Sequence, residues 1–103
     1  MYEVITLVGS TTLGQEVWDK ISADLTLQGN IIFSNNIWDK YDYLHSDEGK
    51  EIKLMIDKMV RQKIDISDRV IVIVKNNRLG DSTKEYIKYA KSSMLIVDYI
   101  ELG

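Results

Sequence analysis

The 103-residue sequence contains no cysteine, no proline and one histidine, His45. Without cysteine the chain forms no disulfide, no thiolate nucleophile and no zinc–thiolate site, and a single imidazole provides no histidine cluster for a metal. We therefore expect neither a metal nor a cofactor. Any chemistry has to use oxygen and nitrogen groups.

An excess of charge and long apolar runs are also missing. The 13 basic and 16 acidic side chains give a net charge of −3. This balance creates no broad positive surface, which argues against binding of polymeric nucleic acid. No apolar run approaches the ~20 residues that cross a bilayer, and the first residues lack the basic start of a signal peptide. We expect a cytoplasmic protein that does not associate with membranes.

The residues that are present fit one globular domain. Apolar residues make up 45% of the chain and charged residues 28%. A chain of this length forms a single hydrophobic core, which excludes a two-domain enzyme. We predict one domain over residues 1–103.

Four short apolar runs, rich in β-branched residues, predict strands. They are residues 4–8, 30–34, 70–74 and 94–97. The third run is apolar at every position, which is typical of a central parallel strand covered on both faces.

Three segments with apolar residues three and four positions apart predict helices between these strands. The segments are 13–25, 52–64 and 82–92. The predicted starts are a capping box of Thr12 with Gln15, the group Ser46-Asp47-Glu48, and a capping box of Ser82 with Glu85. Gly29 is placed to end the first helix. Residues 35–45 are rich in aromatic side chains but not periodic, and we predict a loop there.

The alternation of strands and helices predicts the topology. Connections long enough for crossover helices favour right-handed parallel units. We predict an α/β fold with a doubly wound, flavodoxin- or Rossmann-like parallel sheet of four strands, in the order 2-1-3-4, with helices on both faces. Ligands of such sheets bind outside the carboxyl ends of the strands where the winding reverses, here between the first and third strands.

This rule selects two loops that each lead into a predicted helix. They are Gly9-Ser10-Thr11-Thr12 and Gly80-Asp81-Ser82-Thr83, the second preceded by Asn76 in the same loop. Their backbone N–H groups and hydroxyls can face an anion or a sugar at the positive end of a helix dipole. The first loop lacks the endings of a Walker loop and of a G-x-G-x-x-G turn. We predict a phosphate or ribose between the loops, and the alternative is that each loop is only a tight turn with a helix cap.

At this point the sequence resembles the nucleoside 2-deoxyribosyltransferase-like proteins over nearly the whole chain. The matching features are Gly9-Ser10 after the first strand, Asp47-Glu48 before the second helix, Lys63-Ile64-Asp65 with Asp68 before the third strand, the loop 80–83, and Tyr89-Ala90. The resemblance implies a pocket for a nucleoside or nucleotide.

The resemblance also implies where chemistry occurs in active relatives. There a glutamate on the third helix attacks the anomeric carbon and forms a covalent glycosyl intermediate. That glutamate lies four residues before the alanine matched by Ala90, and this chain has Tyr86 at the position. Glu85 is adjacent, but one step along a helix turns a side chain by about 100°. Many relatives also have a basic residue where this chain has Thr12.

We therefore predict binding of a nucleoside or nucleotide without turnover, by a sensor or by a protein that sequesters a signalling nucleotide. The first alternative is an active nucleotide N-glycosidase or deoxyribosyltransferase that uses Glu85 or a residue of a partner subunit. The second alternative is an assembly module that binds another protein. We expect a homodimer or higher homo-oligomer, because the family commonly completes its site across a subunit boundary.

Several side chains have two interpretations. Trp38, Tyr41 and Tyr43 can stack on a base or form a dimer interface. Tyr86 can stack on a base or bind a ribose, but an aromatic in the first turns of an amphipathic helix is commonly part of a core. His45 is predicted to be a solvated loop residue. Asp57 is predicted to be an exposed charge paired with Lys53 or Arg61, at a spacing of four.

Overall fold

The computed structural model describes residues 1–35, 37–38 and 40–103, and it leaves the side chain of Tyr41 undescribed. The elements, in chain order, are β1 (Glu3–Gly9), a 3₁₀ turn (Thr11–Leu13), α1 (Gln15–Leu27), β2 (Asn30–Phe33), α2 (Tyr41–Leu44), α3 (Lys50–Asp65), β3 (Arg69–Lys75), α4 (Asp81–Ser92) and β4 (Ile96–Leu102).

The four strands form one parallel sheet in the order β2-β1-β3-β4, which confirms the predicted topology. The winding reverses between β1 and β3, whose register places Gly9 opposite Ile73. The carboxyl ends of these two strands therefore lie side by side, and the segments that follow them leave the sheet at the same edge.

Apolar side chains cover both faces of the sheet, as the β-branched runs predict. On one face the buried residues are Ile5, Leu7, Trp18, Ile21, Ile71 and Ile73. On the other face they are Val8, Ile64, Val70, Val72, Val74, Ile87 and Ala90. Strand β3 contributes to both clusters, because successive side chains of a strand point to opposite faces.

The predicted start of α1 is wrong. Thr12 and Gln15 form no capping box, since Thr11–Leu13 is a separate 3₁₀ turn and α1 begins after Gly14, which makes no side-chain cap bond. Gly14 has a φ of 91°. This left-handed conformation, which glycine adopts without strain, redirects the chain between the turn and the helix. Gly29, with a φ of 93°, follows the end of α1 as predicted.

The other two predicted helix starts are also wrong. The Ser46 hydroxyl donates to the Tyr43 carbonyl and accepts from the Gly49 N–H, so it holds the turn between α2 and α3. Gly49 is the N-terminal cap residue of α3, and Gly80 is the N-terminal cap residue of α4. Neither helix start has a side-chain cap bond. Ser82 lies inside the first turn of α4, where its hydroxyl accepts a hydrogen bond from a side chain of α3.

The last strand and the segment predicted as a loop differ from the sequence expectation. Strand β4 runs over Ile96–Leu102 rather than 94–97. Met94 has a φ of 63°, and the Leu95 N–H bonds the Ala90 carbonyl, so these residues form the exit from α4. The segment predicted as a loop contains the four-residue helix α2.

Candidate functional site

The two loops selected from the sequence lie against one cavity of about 460 Å³ at the carboxyl ends of β1 and β3. The first loop contributes Gly9–Thr11 and the second contributes residues 80–83. A cavity of this size falls in the range of small-molecule sites. Of the predicted binding residues in these loops, Thr12 and Asn76 are not part of the described cavity lining.

The first loop is held in place by local hydrogen bonds. The Ser10 hydroxyl lies 2.6 Å from the Thr12 hydroxyl and accepts from the Thr12 N–H at 3.2 Å. The Ser10 carbonyl accepts from the indole N–H of the buried Trp18 at 3.1 Å. Thr12 thus supports the conformation of Ser10 while lying outside the cavity.

The second loop presents polar groups at the start of α4. Asp81 is exposed, Ser82 is half-buried and Thr83 is only 3% exposed. Asn76 has a φ of 54° and is exposed in the turn that follows β3. Asn76 is not among the described residues that line the cavity.

A hydrogen-bonded network joins α3 and α4 across the cavity wall. The Lys53 ammonium donates to both Asp57 carboxylate oxygens, at 3.2 and 3.3 Å, and to the Ser82 hydroxyl at 3.2 Å. The Tyr86 phenol donates to the same carboxylate. The predicted pairing of Asp57 with Lys53 is confirmed, but Asp57 lines the cavity and its side chain is only 28% exposed.

The environment of Tyr86 favours the neutral phenol. Burial raises the pKa of Tyr86 above its ordinary value, and the hydrogen bond to the Asp57 carboxylate raises that pKa further. Tyr86 also contacts the core cluster beside β3. Tyr86 therefore lines the cavity and is also partly buried against the core, while contact with a base or a ribose stays a prediction.

Glu85 occupies a different side of α4. It is exposed and lies outside the described lining of the cavity. This placement follows from the rotation of about 100° between adjacent helical residues.

The aromatic residues of the 38–43 segment separate in the structure. Trp38 lines the cavity, and its ring packs edge-on against Trp18, with the ring centroids 5.5 Å apart and an interplanar angle of 64°. Tyr43 is 45% exposed and lies outside the described lining. The side chain of Tyr41 lies outside the described residues, so its stacking role stays a prediction.

The structure adds cavity residues that the sequence analysis did not assign to the site. His45 and Lys53 both line the cavity. His45 is exposed in the turn after α2, as expected of a solvated loop residue. The spacing of four between Lys53 and Asp57 was a signal for their pairing, but not for their position in a cavity wall. In the described part of the chain, no three carboxylate or imidazole side chains form a group that would hold a metal ion.

Comparison with known proteins gives a structural match. No protein-family model matches this sequence, and no curated protein matches it. A solved structure of a "2-desoxiribosyltransferase from Leishmania mexicana" superposes on 98% of this chain, with a TM-score of 0.69 and 11% identity. The fold is 2-deoxyribosyltransferase-like. The chain spans 65% of the length of that protein.

The deoxyribosyltransferase-like fold agrees with the resemblance inferred from the sequence motifs. At this identity the match concerns the path of the backbone and not the residues of a site. Within the described ranges, none of the helices combines the length and the apolar character needed to span a bilayer.

Proposed function

We propose that this chain binds a nucleoside or nucleotide in the larger cavity. The observation that carries the proposal is that two loops from opposite sides of the winding reversal line the same cavity, each with a glycine and a hydroxyl residue. Ser10 and Ser82 are the first candidates for contacts to a ribose or phosphate. The deoxyribosyltransferase-like fold supports this ligand class.

We further propose that binding occurs without cleavage of the glycosidic bond. The sequence resemblance implies that Tyr86 occupies the position of the nucleophilic glutamate of active relatives, and its neutral phenol is a weak nucleophile. The nearby Asp57 carboxylate accepts hydrogen bonds from Lys53 and Tyr86, which stabilise its charge and reduce its reactivity. The exposed position of Glu85 does not favour the alternative in which Glu85 attacks the sugar.

The proposal includes a biological role for the binding site. Sequestration or sensing of a signalling nucleotide fits a site that binds and does not turn over its ligand. The cytoplasmic location and the homodimer or higher homo-oligomer stay predictions. Binding of polymeric nucleic acid is not expected from the net charge of −3.

Thermal unfolding with a panel of ribonucleosides, deoxyribonucleosides and their 5′-monophosphates tests the proposal. A ligand at 100 times its dissociation constant is expected to add about 2.7 kcal/mol to the unfolding free energy. Ser82→Ala is expected to weaken binding about 3- to 10-fold, because one hydrogen bond is lost. Ser93→Ala, at an exposed position just beyond α4, is the matched control and should bind like the wild type.

Chromatography of the same mixtures distinguishes the alternatives. Release of free base would show an active N-glycosidase and contradict binding without turnover. Stabilisation by none of the compounds would contradict the ligand class and favour an assembly module.

A further inference from the structure

A second, smaller cavity of about 80 Å³ adjoins the larger one. Gly9, Thr11 and Tyr86 line both cavities, so these residues form the boundary between them. Beyond this boundary the smaller cavity is bordered by the end of β2 and by α3, through Ser34 and Lys63. Its size allows one small group rather than a base or a sugar ring.

Lys63 is the only charged side chain among the described residues that line the smaller cavity. Its ammonium donates to the Ser34 carbonyl at 3.3 Å. It belongs to none of the ion pairs formed among the described residues. An ammonium has three donors, so this single bond leaves donors available for another acceptor.

The lysines of the two cavities differ in whether a described carboxylate offsets their charge. In the larger cavity the charge of Lys53 is offset by Asp57, 3.2 Å away. In the smaller cavity burial lowers the pKa of Lys63. A half-buried ammonium without a described carboxylate partner is stabilised when an anion reaches it, because charge-assisted hydrogen bonds offset the cost of burial.

We propose that the ammonium of Lys63 binds a phosphate group of the ligand in the smaller cavity, so that the ligand is a nucleotide with two separate phosphate groups. This inference rests on the proposed function, in which a ribose or a phosphate lies beside Ser10 and Ser82, and it adds a separate phosphate at Lys63. Lys63 then determines specificity for the ligand, and it has no role in breaking a bond.

Calorimetric titration of nucleoside 5′-monophosphates against nucleoside 3′,5′-bisphosphates with the same bases tests this proposal. The wild type is expected to bind at least one bisphosphate about tenfold or more tightly than the matching monophosphate. Lys63→Met, which keeps an apolar stem of similar length, should reduce this ratio to about one without weakening monophosphate binding. Lys63→Arg should retain the preference.

Lys58→Met is the matched control, because Lys58 is an exposed lysine of α3 outside the described lining of either cavity. Its preference for the bisphosphate should equal that of the wild type. An equal affinity of the wild type for both ligands, or an unchanged preference in Lys63→Met, would overturn the proposal. Failure of the wild type to bind any nucleoside or nucleotide would instead contradict the proposed function itself.

A second measurement on the wild type covers the case in which Lys63→Met does not fold. Labelling of the lysine Cε atoms with ¹³C leaves each ammonium and its three donors unchanged and gives each lysine an NMR signal. The Lys63 signal, assigned from its absence in Lys63→Arg, is expected to shift with the bisphosphate and to stay in place with the monophosphate. Identical responses to both ligands would contradict a phosphate site at Lys63.

Discussion

Tyr86 connects the core of the molecule to the candidate site. Its ring packs against the cluster beside β3, and its phenol donates to Asp57 in the cavity wall. An apolar ring with a polar tip suits a position at the boundary between core and solvent.

The hydrogen bond of Tyr86 gives a prediction for stability. Tyr86→Phe is expected to lower the unfolding free energy at pH 7 by about 1 kcal/mol or more, because a bond to a charged acceptor is lost. The folded-state pKa of Tyr86 is raised by burial and by the Asp57 hydrogen bond, so this stabilisation is complete below the unfolded tyrosine pKa near 10. It decreases as the pH rises above 10.

Urea unfolding of the wild type and Tyr86→Phe between pH 7 and 11 measures this effect. The difference between the two proteins should be constant up to about pH 9.5 and become smaller above it. Tyr99→Phe is the control, because Tyr99 is 47% exposed on β4 and lies outside the described lining of both cavities. A difference that grows with pH would contradict the assignment.

At the scale of elements, the junction between β1 and the first loop depends on close contact between two strands. A Cβ atom at Gly9 would lie 2.9 Å from the Ile73 carbonyl oxygen and 3.2 Å from the Ile73 Cβ. Both atoms belong to the neighbouring strand β3, whose backbone is fixed in the centre of the sheet. Gly9 is therefore required by the strand spacing at the edge of the cavity.

Gly9→Ala is expected to lower the unfolding free energy by about 1–3 kcal/mol, because the added methyl group overpacks the sheet. Gly80→Ala is the matched control in the other loop, since its Cβ would meet no atom within 4 Å and its φ of −70° suits any residue. We expect a change below about 1 kcal/mol there. Equal destabilisation of the two variants in urea unfolding would contradict the requirement at Gly9.

At the scale of the whole molecule, both hydrophobic clusters share one sheet. Ile64 packs on the face covered by α3 and α4, whereas Trp18 packs on the face covered by α1. The central strand β3 belongs to both clusters, so the loss of one face removes the support of the other. We propose on this basis that the chain unfolds as a single domain.

Ile64→Ala tests this coupling, because Ile64 is fully buried. The variant is expected to lose about 2–5 kcal/mol of unfolding free energy. Tryptophan fluorescence, which reports the α1 side, and far-UV circular dichroism should give the same lowered midpoint. Ile66→Ala, at a position that is 62% exposed, should change the unfolding free energy by less than about 1 kcal/mol. Separate midpoints for the two signals would contradict a single cooperative domain.

Local patterns in the sequence determined the fold class and the two loops that line the larger cavity. The uninterrupted run Val70–Val74 required a strand covered on both faces, and the alternation of strands with helices required a parallel sheet. The winding rule then predicted a binding site at the loops that contain Gly9 and Gly80. Both loops line the larger cavity. These features depend on residues within a few positions of one another, so they can be read without the tertiary structure.

The three capping predictions failed although they also used local patterns, because each serine or threonine hydroxyl had another partner in the folded chain. Ser82, for example, accepts from Lys53, which is 29 positions away. The Tyr86–Asp57 bond and the placement of Lys63 beside Ser34 also join residues 29 positions apart. Such contacts depend on how the crossover connections bring α3 beside α4 and the end of β2. Only the tertiary structure therefore decided which charged side chains line the cavities.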